Sequence, residues 1–477
     1  MRIAMVAGEA NPFCKSGGLA DVILPLSLEY VKSGHDVFVL VPFYKLIKDR
    51  KLARFCRVGQ LDVHMSWRHE QADIFFSRYE GINYFFIGSI SYFDRERMYG
   101  YDDDGERFAF FQLAALAWLN QVEGGVDVIH VHDHQAAMIP ALLKEKKADY
   151  PNLASAKTVL TIHNPAFKGY LNPDALPELY ELPRWLYDGG QVRFEGMVST
   201  LKAGIIYSDK ITTVSPNHAK ELLTPEGSMG LSDVLKLRER DFVGIVNGID
   251  EEEWNPATDY FLIKNYDRAS FREGKAASRE KVVTLFGLSD KGGPSFGLVS
   301  RLTSQKGVDI LLPVVEKILA DGNLLFLCGS GDPVYEERLR ALQERFPKQF
   351  GLYIGFNSQL AHDIYAGSDF FLMPSQFEPC GIGQLIAKRY GALPIARATG
   401  GLKDTIISFD GKNGAEADGF LFEDYDIQGF EWAVKAAKAA YSNKKIFAKL
   451  VVNAMEADHS WTHSGQQYLD LYLSLMD

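Results

Sequence analysis

Short apolar runs recur along this chain, and helical patterns separate them. Arg2–Ala7, Val37–Val41, Val128–Val131, Thr158–Ile162, Ile211–Val214 and Val243–Val246 are rich in Val and Ile, with little polar alternation. Strands buried on both faces of a parallel sheet have this pattern. Between the second and third runs, Ala72–Ser77 and Tyr84–Ile87 flank Glu80-Gly81, which predicts an inserted hairpin. From about Arg107, Phe108, Phe111, Ala115, Trp118, Leu119 and Val122 share one helical face, the signature of a core helix. Asn247-Gly248-Ile249-Asp250, an acidic run and Asn255-Pro256 then break the pattern. Alternation restarts with Ser295–Val299, Leu324–Cys328, Tyr353-Ile354, Phe370–Met373, Leu393–Ala396 and Phe420–Phe422. From about Asp458, Trp461, Tyr468, Leu471 and Tyr472 predict a closing helix. The expectation is two doubly wound α/β domains facing a cleft, residues 1–246 and 247–457, with residues 458–477 as a closing helix.

Composition narrows the class. A chain of 477 residues exceeds one ordinary core. Its formal charge of −11 argues against nucleic acid as the main partner, while leaving room for a local cationic pocket. Cys14, Cys56, Cys328 and Cys380 are far apart, which suits a reducing compartment better than a disulfide framework. The N-terminus opens into a strand rather than a signal peptide, and no apolar run approaches a membrane span, so a cytoplasmic address is expected.

Candidate chemistry clusters where predicted strands end. Ser295–Val299 delivers Arg301 and Lys306 just before a helix whose apolar face is Ile310, Leu311, Val314, Val315 and Ile318. A guanidinium fork, a point charge and a helix N-terminus suit a diphosphate, although a pair of surface cations would look the same. The first strand feeds Gly8-Glu9 and then Lys15-Ser16-Gly17-Gly18-Leu19-Ala20-Asp21, where paired glycines allow close approach of a ligand. There is no Gly-x-Gly-x-x-Gly fingerprint here or at Gly329-Ser330-Gly331-Asp332, which weakens a dehydrogenase reading. His130-Val131-His132-Asp133-His134 and His163-Asn164 end two further strands, without the helical spacing of a zinc site, so no metal is expected. Phe377-Glu378-Pro379-Cys380-Gly381 follows Phe370–Met373, and Thr399-Gly400-Gly401-Leu402 follows Leu393–Ala396. Nothing nearby depresses the Cys380 pKa, so it is not read as a nucleophile.

Taken in order, Lys15-Ser16-Gly17-Gly18-Leu19, Asp133, Thr161-Ile162-His163-Asn164, Asn247-Gly248, Arg301-Leu302-Thr303-Ser304-Gln305-Lys306-Gly307, Phe377–Gly381 and Thr399–Leu402 span almost the whole chain. The series resembles the bacterial glycogen synthases and plant starch synthases, a family of retaining glucosyltransferases. The resemblance implies a GT-B fold of two Rossmann-like domains facing a central cleft, with the C-terminal helix of residues 458–477 packing back on the first, ADP-glucose as donor, and an α-1,4-glucan such as glycogen or a maltooligosaccharide as acceptor. It implies that Arg301 and Lys306 hold the donor diphosphate, with Lys15, Gly18 and Asp21 approaching from the other domain. Asp133 and His163 would sit at the transferred sugar and the acceptor, and Glu378 at the glucose hydroxyls. Asn247, Gly329, Cys380, Gly381, Gly400 and Gly401 would border the donor, and Tyr99 would touch glucan. Retention in such families is assigned to front-face attack with no metal or other cofactor, which suits the absence of a paired-carboxylate motif. Three positions depart from the family pattern: His134 and Gln135 replace the usual Trp-His, and Gly383 replaces a hydroxyl residue; Ile386 stands where wider GT-B relatives carry a second Glu, as is usual for this subfamily. A UDP-glucose enzyme of the same fold is the alternative, and a catalytically dead glucan-binding protein a further one. The sequence leaves a homo-oligomer open.

Overall fold

The first strand, β1 (Arg2–Val6), lies at the centre of a nine-stranded sheet, and the elements around it follow its burial. The structure is a computed structural model that describes residues 1–50 and 53–476. Its contacts divide the chain into two units, residues 1–245 with the tail from 464, and residues 246–463.

In the first unit, β1 is followed by β2 (Asp36–Pro42), β3 (Cys56–Met65), β4 (Arg68–Tyr79), β5 (Ile82–Gly88), β6 (Val128–His132) and β7 (Lys157–Ile162). A small sheet of β8 (Tyr170–Leu171), β9 (Arg193–Phe194) and β10 (Met197–Ser199) intervenes before β11 (Lys210–Thr213) and β12 (Phe242–Gly244). The large sheet runs β12-β11-β7-β6-β1-β2-β5-β4-β3. Every residue of β6 and all but the first of β1 and β2 are buried, which matches their unbroken apolar sequences. The expected hairpin is present, with Tyr79 opposite Ile82 across Glu80-Gly81, both at positive φ. It is not an insertion, however: β5 pairs in parallel with β2 and belongs to the main sheet. Beyond it, β4 and the unforeseen β3 form an antiparallel edge. In the second half of β3, buried Leu61, Val63 and Met65 alternate with exposed residues, the pattern of a half-solvated strand.

The second unit has six parallel strands: β13 (Ser295–Val299), β14 (Leu324–Gly329), β15 (Phe350–Ile354), β16 (Phe370–Met373), β17 (Leu393–Arg397) and β18 (Phe420–Phe422). Their order is β15-β14-β13-β16-β17-β18. In each unit the chain therefore winds outward one way from a central strand, then returns to wind the other way. That reversal opens a crevice at the carboxyl ends of β1 and β6 in one unit, and of β13 and β16 in the other. Against β13 and β14, the helix Val308–Ala320 buries Leu311, Val314, Val315, Ile318 and Leu319, each contributing roughly 1.5–3 kcal/mol of burial. The turn that precedes it thus rests on a rigid support.

The unit boundary lies at 245/246, and the chain rejoins the first unit at 464 rather than 458. Residues 459–461 stay with the second unit because Ile249 N–H donates to the His459 carbonyl at 2.9 Å. Gly248 lies so close that a Cβ would come within 2.5 Å of the Trp461 nitrogen. The last helix, Trp461–Leu473, begins there and carries Tyr472 to a 2.8 Å hydrogen bond with Tyr30. Among the described residues no helix is long and apolar enough to cross a membrane.

Candidate active site

In the second unit, β13 exits into Ser300 and Arg301, and a 3-10 turn, Ser304–Lys306, leads to the helix. Gly307, at φ +73°, lets this turn lie against the exit of β16: a Cβ there would stand 1.9 Å from the Pro374 carbonyl oxygen. Lys306 Nζ is thereby brought 2.5 Å from Glu378 Oε2, and Ser375 Oγ donates to the same oxygen at 3.1 Å. Both partners are shielded, with side-chain exposures of 18% and 8%. Arg301 is exposed and makes no ion pair among the described residues. Arg301, Lys306, Ser375, Glu378 and Gly381 line one cavity of about 210 Å³.

The glycines around this cavity hold its walls together. A Cβ on Gly400 would fall 1.9 Å from the Glu378 carbonyl oxygen, and one on Gly401 2.1 Å from that of Cys380. The Gly401 N–H is already engaged by the Glu378 and Pro379 carbonyls, each at 3.1 Å, so it is not left for a ligand. Gly329 serves packing in the same way, since a Cβ would meet the Ser300 carbonyl at 2.1 Å. Gln384 Nε2 staples the loop by donating to the Cys380 and Gly381 carbonyls at 3.1 and 3.0 Å. Burial pushes the Cys380 thiol up to about 12, opposed by a hydrogen bond from the Asn247 backbone. A thiol so held is no nucleophile at neutral pH. Asn247 itself is 5% exposed, and its Oδ1 has no partner among the described residues, which leaves a buried, unmet acceptor on a residue whose backbone meets the Cys380 thiol. Phe356, 80% exposed just beyond β15, was not singled out from sequence. An aromatic in a post-strand loop belongs to no motif, and only its exposure marks it.

The first unit has the corresponding crevice, but its charges are partnered. Glu9 follows β1 and accepts from Ser16 N at 2.5 Å, Ser16 Oγ at 3.0 Å and Gly17 N at 3.1 Å. The glycine loop thus folds around a carboxylate of its own chain. Lys15 Nζ lies 2.6 Å from Asp21 Oδ1, which Asn11 Nδ2 also reaches at 2.7 Å. Asp21 therefore holds Lys15 instead of standing open to a ligand. At Gly18 a Cβ would meet nothing within 4 Å, so nothing in the protein interior requires glycine there. Tyr99, expected to face glucan, packs on Tyr44 and Phe108 with its hydroxyl 3.5 Å from Glu9.

Asp133 leaves β6 at φ +54° and accepts from the backbone N–H of His163 at 2.7 Å and of Asn164 at 3.3 Å. Burial pushes its carboxyl up to about 7, against the pull of those two bonds, and the charge of Glu9 adds to the rise. His163 is pushed down to about 3 by burial and is neutral. Its Nε2 meets His132 Nδ1 at 3.0 Å, and the His132 ring lies 4.1 Å from that of His130. His130 bonds Tyr472 and Thr161, each at 2.6 Å. The histidines form a ladder of neutral rings and hydroxyls, and no group of three His, Cys, Asp or Glu among the described residues is placed to hold a metal ion. His134, the first departure from the family pattern, lines a separate cavity of about 270 Å³ with Phe108, Phe167 and Thr200.

Residues 2–237 match the starch synthase catalytic domain model, and residues 287–449 match glycosyl transferases group 1. The chain is 42% identical to a glycogen synthase of Clostridium beijerinckii, covering 100% of this chain and 99% of that one. It is 40% identical to one of Bacillus cereus, covering 100% of both. The chain belongs to the glycogen synthase family. It is a glycosyltransferase of the GT-B fold. The catalytic domain of starch synthase IV from Arabidopsis thaliana, solved with ADP and acarbose, matches it with a TM-score of 0.90 and 32% identity over 99% of each chain. A sucrose-phosphate synthase from Thermosynechococcus elongatus, at 16% identity and a TM-score of 0.58, shares the fold alone.

Proposed function

We propose that the chain transfers glucose, with retention, from ADP-glucose to the non-reducing end of an α-1,4-glucan. The observation that carries this is the cavity where Arg301 stands uncommitted beside the Lys306–Glu378 pair. Cleaving a glycosyl–phosphate bond builds negative charge on the departing ADP, and two preorganised cations stabilise it without a metal. Glu378 neutralises Lys306 until a diphosphate takes its place, which then frees the carboxylate for the sugar hydroxyls. Asn247 Oδ1, beside the Cys380 loop, offers an unmet acceptor, and the exposed ring of Phe356, in the loop after β15, offers a stacking surface for the base.

The second unit is the donor side in this account and the first the acceptor side. There His163, neutral, and Asp133, held by backbone N–H groups, present polar edges to the sugar. Support also comes from the Arabidopsis starch synthase solved with ADP and acarbose. The test is incubation of the protein and glycogen with labelled ADP-glucose or UDP-glucose, with and without chelator. Incorporation from ADP-glucose that survives chelation is expected. Preference for UDP-glucose, or activity restored only by a divalent ion, would overturn the donor or the metal-free mechanism respectively.

A further inference from the structure

His132 and Asp133, where β6 ends, both grip His163, which follows β7. Asp133 accepts from the His163 backbone N–H at 2.7 Å, while His132 meets the ring, its Nδ1 lying 3.0 Å from His163 Nε2. The pairing of the strands brings them together, since His132 stands opposite Thr161 of β7, two residues before His163. Burial keeps His130, His132 and His163 neutral, so each ring has one proton on one of its two nitrogens. Between His132 Nδ1 and His163 Nε2, one nitrogen therefore donates and the other accepts. The far side of His132 decides which. Its Nε2 is buried without a hydrogen-bond partner among the described residues, and the His130 ring lies 4.1 Å from the His132 ring. Were His163 the donor, the His132 proton would sit on that Nε2, an N–H sealed from water with no acceptor. With His132 as donor, Nε2 is a bare lone pair. An unmet acceptor is the smaller loss, because orphaned N–H groups are the rarer fault in protein interiors.

We infer that His132 is a positioning residue: it donates from Nδ1 to His163 Nε2 and so holds His163 in the tautomer with its proton on Nδ1. His163 is half-buried, and its Nδ1 makes no hydrogen bond among the described residues, so this N–H is the one left for a ligand. Its use rests on the glucosyl-transfer reading, in which it donates to a hydroxyl oxygen of the transferred glucose. The opposite tautomer would turn a lone pair to the same place and could only accept. A partner fixed behind an imidazole sets which nitrogen carries the proton in front of it.

Long-range nitrogen–proton correlation spectra of the whole protein, with nitrogen-15 in its histidines, read the tautomers directly, and His163→Gln and His132→Phe supply the assignments. The proton is expected on Nδ1 of both rings. A proton on His163 Nε2 in the parent would overturn the inference. The spectra decide this even in a protein that transfers no glucose, so failure of the activity and failure of the tautomer are told apart. His132→Phe keeps a flat ring against His130 and removes the donor. It should free His163 to take its proton on Nε2 and lower kcat for glucosyl transfer about ten-fold or more. His132→Asn places an amide N–H near the position of Nδ1 and should recover the His163 tautomer and most of the rate. A Phe variant as fast as the parent, or an Asn variant as slow as the Phe variant, would reduce His132 to packing and overturn its positioning role.

Discussion

The two crevices are built on the same strand reversal, yet they hold charge differently. In the first unit Glu9 is wrapped by the N–H groups of Ser16 and Gly17, Lys15 rests on Asp21, and Asp133 is clasped by two backbone donors. In the second unit, among the described residues, Arg301 has no carboxylate partner, and Lys306 has a single one that a stronger anion can displace. One crevice is thus a finished scaffold and the other a seat awaiting negative charge. Hydrogen bonds hold the groups of the first in place, whereas in the second the turn is fixed by packing beneath it and its cations stay available. This contrast leads to four expected outcomes.

The largest should follow removal of a cation from the seat. Lys306→Ala and Arg301→Ala should each lower the rate of glucosyl transfer by about 10²–10³-fold. Their effects on stability should differ. Loss of Lys306 leaves Glu378 buried without its ion, at a cost of about 1–3 kcal/mol, whereas loss of the exposed Arg301 costs almost nothing. Initial rates of ADP release and urea midpoints for both variants decide it. Equal destabilisation would erase the proposed difference between the two cations.

Sequence made the scaffold easier to see than the charge pairing. Buried parallel strands are nearly continuous apolar runs, so twelve runs named from sequence recur in the two large sheets, Ser295–Val299, Phe370–Met373 and Phe420–Phe422 with the same ends and the others with an end shifted by a residue or more. What stayed hidden were half-exposed strands such as β3, whose alternation is diluted by Gly59 and polar residues, and the two- and three-residue strands of the small sheet. At the site, residue identity marked the cations, the carboxylates and the glycines. It could not show that Glu378 would sit on Lys306, because 72 residues separate them and only the adjacency of β13 and β16 joins them. Nor could it show that Gly400 and Gly401 are required by carbonyls of the neighbouring loop, since a glycine needed for packing and one needed for a ligand are written alike.

The next effect concerns a carboxyl in the finished crevice. With a folded pKa of about 7 against an ordinary 3.8, Asp133 binds its proton more tightly in the folded protein than in the unfolded chain. Its contribution is therefore fully present below about pH 4 and is lost as the pH rises towards 7. Asp133→Asn keeps an oxygen for the His163 and Asn164 donors and removes the titration. The variant should gain on the order of 1–4 kcal/mol relative to the parent between pH 4 and 7. Parallel stability–pH curves for the two proteins would show that Asp133 is not held protonated.

A smaller effect is expected at the glycine loop. Glu9→Ala removes the carboxylate that gathers Ser16 and Gly17, so Lys15 and Gly18 lose their fixed position while Arg301 and Lys306 keep theirs. The KM for ADP-glucose should rise about ten-fold with little change in kcat, the sign of binding lost equally from ground and transition states. A fall confined to kcat would instead place Glu9 at the reacting atoms.

The smallest effect lies behind the finished crevice, where the His163–His132–His130 ladder ends on the last helix. Burial pushes His130 down to about 3, so it is a neutral ring with one donor and one acceptor nitrogen, shared between Thr161 and Tyr472. The Tyr472 hydroxyl also meets that of Tyr30, and one group thus satisfies two buried partners. Tyr472→Phe leaves both unmet and should cost about 1 kcal/mol or somewhat more, whereas Tyr30→Phe breaks only the bond between the tyrosines and should cost less. Because the two substitutions remove a shared bond, their combination should cost less than their sum, by a few tenths of a kcal/mol or more. Urea unfolding of the four proteins in the cycle measures that coupling. Strict additivity would mean that the last helix is fastened to the first unit by packing alone, and that the ladder stops at His130.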